Sequence, residues 1–206
     1  MEKILILAPH TDDGEIGCGG AVARYIEQGA KVTYVAFSAA KKSIPEGFPE
    51  GSTGREAKKS TEILGIKDLY LYRYEVRDFP AHRQEILEQM VRVNNLLQPT
   101  LVFTPATSDT HQDHQVISAE SFRAFKCSTI LGYEIPWNNP VFQTNGFIAF
   151  EERHLMKKLK SIDCYMSQKT RLYGGLDFIE SLAAVRGAQV KQRFAEAFEV
   201  IRYICK

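Results

Sequence analysis

The 206-residue chain has five histidines, and three of them fall in two short polar runs. The first run is Pro9-His10-Thr11-Asp12-Asp13-Gly14-Glu15 and the second is Asp109-Thr110-His111-Gln112-Asp113-His114. Two imidazoles and one carboxylate are a recurring ligand set for a catalytic divalent ion that keeps one position open for water. His10, Asp13 and His114 supply such a set. With nitrogen and oxygen donors and no thiolate, zinc fits, and iron, cobalt or manganese also suit these donors. Such an ion lowers the pKa of its water towards about 7 and polarises a carbonyl. Asp12, adjacent in sequence, is the candidate general base, and His111 is the candidate donor to a developing oxyanion. Asp113 is placed to accept from a histidine N–H and fix its tautomer. The competing reading of Asp12-Asp13 is a helix cap on a solvated turn. Two such runs sharing three of the five histidines favour the metal site.

Both runs follow apolar stretches that read as strands. Residues 3–8 (KILILA) are a continuous apolar run ending at Pro9, as in a strand buried on both faces of a parallel sheet. Residues 15–29 read as a helix stopped by Gly29, and 31–37 (KVTYVAF) as a second strand. That order makes a βαβ unit. The stretch 39–53 is without period and reads as a loop able to cover a site. Beyond it the pattern predicts helix 54–64, strand 68–72, helix 82–97 and strand 101–104. Then follow helix 114–126, strand 129–134, strand 146–150, and helices at 151–163, 175–187 and 190–204. The alternation argues for an α/β fold with a mainly parallel sheet. No composition shift divides the chain, so 1–206 reads as a single domain. Both runs then sit at C-terminal strand ends, where open α/β sheets bind ligands. Gly17-Cys18-Gly19-Gly20 lacks a full phosphate-binding pattern and reads as close helix–sheet packing.

The bulk numbers exclude several partners. Lys and Arg total 26 against 25 Asp and Glu, a net charge of +1, which gives no electrostatic case for nucleic acid. There is no apolar run of 18 residues and so no membrane span. The short apolar N-terminus lacks signal-peptide features, and a cytoplasmic protein is expected. Cys18, Cys127, Cys164 and Cys205 are scattered and read as free thiols. The composition leaves room for a homo-oligomer.

At these residues the chain resembles the PIG-L/LmbE family of zinc-dependent N-deacetylases. The family's Pro-His-Pro-Asp-Asp-Glu hallmark is met by residues 9–15, with Thr11 in place of the second proline and Gly14 delaying the acidic residue by one place. Its His-x-Asp-His hallmark is met by His111-Gln112-Asp113-His114. Further similarity runs through Gly17-Cys18-Gly19-Gly20, Arg55-Glu56, Leu64-Gly65-Ile66 and Tyr133-Glu134-Ile135-Pro136-Trp137. Ser167-Gln168, Arg186-Gly187 and Ala195-Glu196-Ala197-Phe198 extend it towards the C-terminus. The resemblance implies a Rossmann-like three-layer α/β/α fold and removal of an N-acetyl group from an N-acetylglucosamine-type sugar or conjugate. By position it implies Zn2+ on His10, Asp13 and His114, Asp12 as base, His111 as oxyanion stabiliser, and Asp113 tuning or orienting His111. Some family members carry a tyrosine just before the second hallmark, where this chain has Thr107-Ser108-Asp109-Thr110.

For the small-molecule amino-sugar substrate, Arg55 and Arg77 offer planar forks for a phosphate or carboxylate. Trp137, the only tryptophan, offers a face for a sugar ring. Each has a bland counterpart, a solvated charge or a core aromatic. The other functional readings are hydrolysis of a different small amide or ester, and a sugar- or nucleotide-binding protein without turnover.

Overall fold

The computed structural model describes residues 2–39, 44–169 and 175–205. Strands β1 (Lys3–Ala8), β2 (Lys31–Ala36), β3 (Asp68–Leu71), β4 (Leu101–Pro105) and β5 (Thr129–Tyr133) pair in parallel in the order β3-β2-β1-β4-β5. Strands β6 (Gly146–Phe150) and β7 (Phe194–Arg202) extend this sheet, with β7 antiparallel to both β5 and β6. The helices are α1 (Asp13–Glu27), α2 (Ser52–Leu64), α3 (Arg83–Leu97), α4 (Gln112–Ala124), α5 (Glu152–Ile162) and α6 (Leu176–Gln189). A 3-10 turn, Met166–Gln168, follows α5. The expected three-layer α/β arrangement is present.

Side-chain alternation in β1 sorts the layers. Ile4, Ile6 and Ala8 pack on one face with Cys18, Ala21 and Val22 of α1 and Leu64 of α2. Leu5 and Leu7 pack on the other with Ile86 and Met90 of α3 and Val116 and Ile117 of α4. A strand covered on both faces has no polar side to alternate with, which is why β1 reads as an unbroken apolar run. A third cluster joins Leu155 and Leu159 of α5 to Ile179 and Ala183 of α6 beneath Phe150 and Phe194.

The helix expected at 190–204 is a strand. Ala195, Glu196, Ala197 and Glu199 are good helix formers, but the intrinsic preference amounts to only tenths of a kcal/mol per residue. Against it stand the ladder bonds of a strand inserted between β5 and β6 and the burial of Phe194, Ala195, Ala197 and Phe198. Helix α1 begins two residues earlier than expected, inside the first polar run. Of the expected loop 39–53, residues 40–43 lie outside the described residues; Ser52 and Thr53 already belong to α2. The expected reading of Gly17 and Gly20 is met: a Cβ would fall 2.4 Å from the Tyr133 ring at Gly17 and 2.5 Å from the Phe150 ring at Gly20. These glycines let α1 lie directly on the sheet.

Candidate metal centre and active site

β1 and β4 are neighbours on either side of the point where the strand order reverses, so the loops that follow them diverge and open a crevice. After β1 the chain turns through His10 and Thr11 and enters α1 with Asp12 as its N-cap residue; the Asp12 carboxylate does not cap the helix. After β4 the second run leads into α4, whose N-cap is His111. The His111 Nδ1 accepts from the Asp113 backbone N–H at 3.2 Å. An imidazole that accepts at Nδ1 carries its proton at Nε2, so His111 keeps a donor.

Three ligand-type atoms converge from the two runs. His10 Nδ1 lies 3.2 Å from Asp13 Oδ2, His114 Nε2 lies 3.3 Å from the same oxygen, and the two nitrogens are 3.4 Å apart. A tetrahedral zinc site with bonds of about 2.0–2.1 Å has ligand-to-ligand edges of about 3.3 Å. The residues present therefore fit zinc in both donor chemistry and spacing. The ring nitrogens of His10, His111 and His114 also lie within 4.8 Å of one another. His111 is the less suited third ligand, because one of its nitrogens is already used by the backbone and Asp13 completes the tighter triangle.

Each ligand-type histidine is held by a carboxylate on its far nitrogen. His10 Nε2–H donates to Asp113 Oδ2 at 3.0 Å, which leaves Nδ1 for the triangle. His114 Nδ1–H donates to Asp109 Oδ2 at 2.8 Å, which leaves Nε2. Such partners fix tautomer and ring orientation. Asp113 thus supports His10 through its carboxylate and meets His111 only through its backbone. That differs from the expectation that Asp113 orients His111, because entry into α4 turns the carboxylate of residue 113 back towards the first run. Asp109 was not singled out from the sequence. Its position in the same run as two histidines was the available signal. Phe79 closes the other side of His10, with ring centroids 6.1 Å apart.

The electrostatics follow from burial and the facing charges. Burial opposes charging of His10 and His114, but the Asp13 carboxylate and the bonds to Asp113 and Asp109 outweigh it, raising them to about 9 and about 10. Burial alone would raise Asp13, and the two facing histidines instead hold it well below the usual carboxylate range. His111 is lowered by burial and by the charges of His114 and His10, so it stays neutral with its donor available.

The candidate substrate residues fare differently. Arg55 donates to the Glu50 carbonyl and to Ser52 Oγ, folding back on the start of its own helix. Arg77 sits in the left-handed region at φ 70°. Its N–H donates to Asp113 Oδ2 at 2.8 Å and its carbonyl accepts from Gln112. A non-glycine residue in that region is held there by its surroundings, here by two residues of the second run. Trp137 is half-buried and packs against the core beneath α1. Its neighbour Asn138 offers its carbonyl to Thr110 of the second run at 3.0 Å.

A family model described as PIG-L, GlcNAc-PI de-N-acetylase, matches residues 5–125. The diacetylchitobiose deacetylase of Thermococcus kodakarensis is 27% identical over 193 residues, covering 90% of this chain and 68% of that protein. The uncharacterized deacetylase YaiS of Escherichia coli is 28% identical over 174 residues, covering 80% of this chain and 90% of that protein. Among solved structures, the conserved protein TT1542 from Thermus thermophilus superposes with a TM-score of 0.81 at 21% identity, covering 100% of this chain and 97% of that one. At that identity the likeness speaks for the fold.

Proposed function

The chain belongs to the PIG-L family of de-N-acetylases, and from that footing we propose that it is a zinc-dependent hydrolase removing the acetyl group from an N-acetylglucosamine-type sugar or conjugate. The observation that carries the reading is the triangle of His10 Nδ1, Asp13 Oδ2 and His114 Nε2, with edges of 3.2 to 3.4 Å. These three residues would hold the zinc, which when bound acidifies water and polarises a carbonyl.

The chain's own groups do the rest. Asp12 takes the proton of the attacking water as the new C–O bond forms. His111 donates from Nε2 to the oxygen that becomes anionic, and Asp12 passes the proton it took from the water to the departing amine as the C–N bond breaks. Acetate and a free amine leave. Asp113 and Asp109 keep the two ligand histidines in the required tautomers. Arg77 and Trp137 serve as substrate contacts beside the second run, and Arg55 contributes if its bonds to Glu50 and Ser52 open. The substrate is a small amino sugar rather than nucleic acid, and no described helix is long and apolar enough to cross a membrane. A cytoplasmic location agrees with four free cysteines.

Acetate release from a panel of N-acetylglucosamine conjugates, with zinc restored to stripped enzyme, tests the reading. Asp12→Asn should keep its metal and lose at least about a hundredfold in rate. Turnover at the wild-type rate in that variant would remove Asp12 as the base. Tight binding of one sugar without acetate from any would remove the hydrolase.

A further inference from the structure

Beneath the first run lies a buried cluster for which the mechanism has no use: Glu15, Tyr34, Ser60 and Tyr165, none more than 3% exposed. The Tyr34 hydroxyl lies 3.0 Å from the Thr11 carbonyl oxygen, and the Tyr165 hydroxyl donates to that same oxygen. Both hydroxyls also reach the Glu15 carboxyl, Tyr34 at 2.6 Å and Tyr165 at 2.8 Å, and Ser60 donates to Glu15 at 2.7 Å. Tyr34 in turn accepts the Gly14 N–H at 3.1 Å.

We propose that Tyr34 and Tyr165, tied together through Glu15, are positioning residues that clamp the Thr11 carbonyl and so set where the Asp12 carboxylate stands beside the metal ligands. This rests on the reading of Asp12 as the base. The Thr11 carbonyl belongs to the peptide plane that leads into Asp12, and fixing its oxygen fixes that plane. The next plane is fixed as well, since the Asp12 carbonyl accepts from Ile16 N–H at 3.1 Å. Between two fixed planes the Asp12 carboxylate keeps only its own side-chain torsions. Threonine has no ring to restrict its backbone, so a turn built on Thr11 needs an outside restraint that a proline supplies internally. Gly14 makes room for it: a Cβ there would stand 2.6 Å from Tyr34 Cε2 and 2.8 Å from its hydroxyl. Of the two departures from the family hallmark, Thr11 therefore needs the clamp and Gly14 admits it.

The experiment removes hydroxyls without removing rings. Zinc-loaded Tyr165→Phe is compared with wild type for amide exchange by NMR, metal content, KM and kcat. Tyr34→Phe is the second variant. The expected result is amide exchange at Asp12 and Asp13 at least tenfold faster, with the amides of β1 unchanged. Metal content and KM stay the same, and kcat falls at least about tenfold, towards the roughly hundredfold that a 1 Å misplacement costs. Unchanged exchange at Asp12 in both variants overturns the clamp. So does a fall in kcat matched by loss of metal, which would make the hydroxyls props of the ligand set. Asp12→Asn, assayed alongside, separates the two ideas. A wild-type rate there removes the base, while amide exchange reports on the clamp whatever Asp12 does.

Discussion

The two histidines proposed as ligands differ in what holds them. His10 is half-buried and leans on Asp113, which also takes the N–H of Arg77. His114 is buried and leans on Asp109 alone through its Nδ1. Loss of the Asp109 charge should therefore be felt directly at the metal. Asp109→Asn is expected to weaken zinc affinity about tenfold to a hundredfold, measured by competition with a chelator. Equal affinity in variant and wild type would show that Asp109 does not orient the ligand. The residues proposed as ligands stand out in the sequence, because only a few residue types bind a divalent ion and three of five histidines lie in two runs. The partner of each ring was not. Asp109 and Asp113 flank His111 in one run, and spacing alone does not say which carboxylate turns towards which imidazole. That is decided by the start of α4, and by a backbone at Arg77 whose positive φ no residue type announces.

At the scale of elements, strands with one kind of environment were readable and the strand with mixed chemistry was not. β1 and β4 are buried on both faces and, Lys3 and Thr104 apart, are apolar. β7 carries Glu196, whose carboxylate accepts the N–H groups of Gly20 and Ala21 in α1 and pairs with the buried Lys158 of α5. A charge satisfied by two other elements looks in sequence like the polar face of a helix. A second tie between helices is at the surface. Glu27 at the end of α1 meets Arg153 and His154 at the start of α5. These bonds, Arg153 foremost, lower the Glu27 carboxyl to about 2. A carboxyl with a depressed folded-state pKa stabilises the fold above its unfolded value near 4.5, and the contribution is lost as pH falls through about 2. The gap in Tm between wild type and Glu27→Gln should hold steady above pH 5 and close as pH falls towards 2. It should also shrink in high salt, since the pair is exposed. A gap that widens on acidification would reverse the sign and refute the tie.

Across the whole molecule, the proposed ligand atoms come from residues about a hundred apart in the chain, carried on two loops that the sheet brings side by side. The net charge of +1 therefore says little about the site, where Asp13, Asp109 and Asp113 gather around three histidines. A metal ion bound only by the folded crevice stabilises folding by mass action, about 2.7 kcal/mol at a free concentration a hundred times its Kd. For a domain of this size each kcal/mol moves Tm by about 2–4 °C. Removing zinc with a chelator should lower Tm by about 5–10 °C, and adding it back should restore the original value. His114→Ala should unfold at one temperature with or without zinc, because the triangle then lacks a corner. A zinc-dependent shift that survived in His114→Ala would mean the ion binds elsewhere, and the ligand assignment would fall with it.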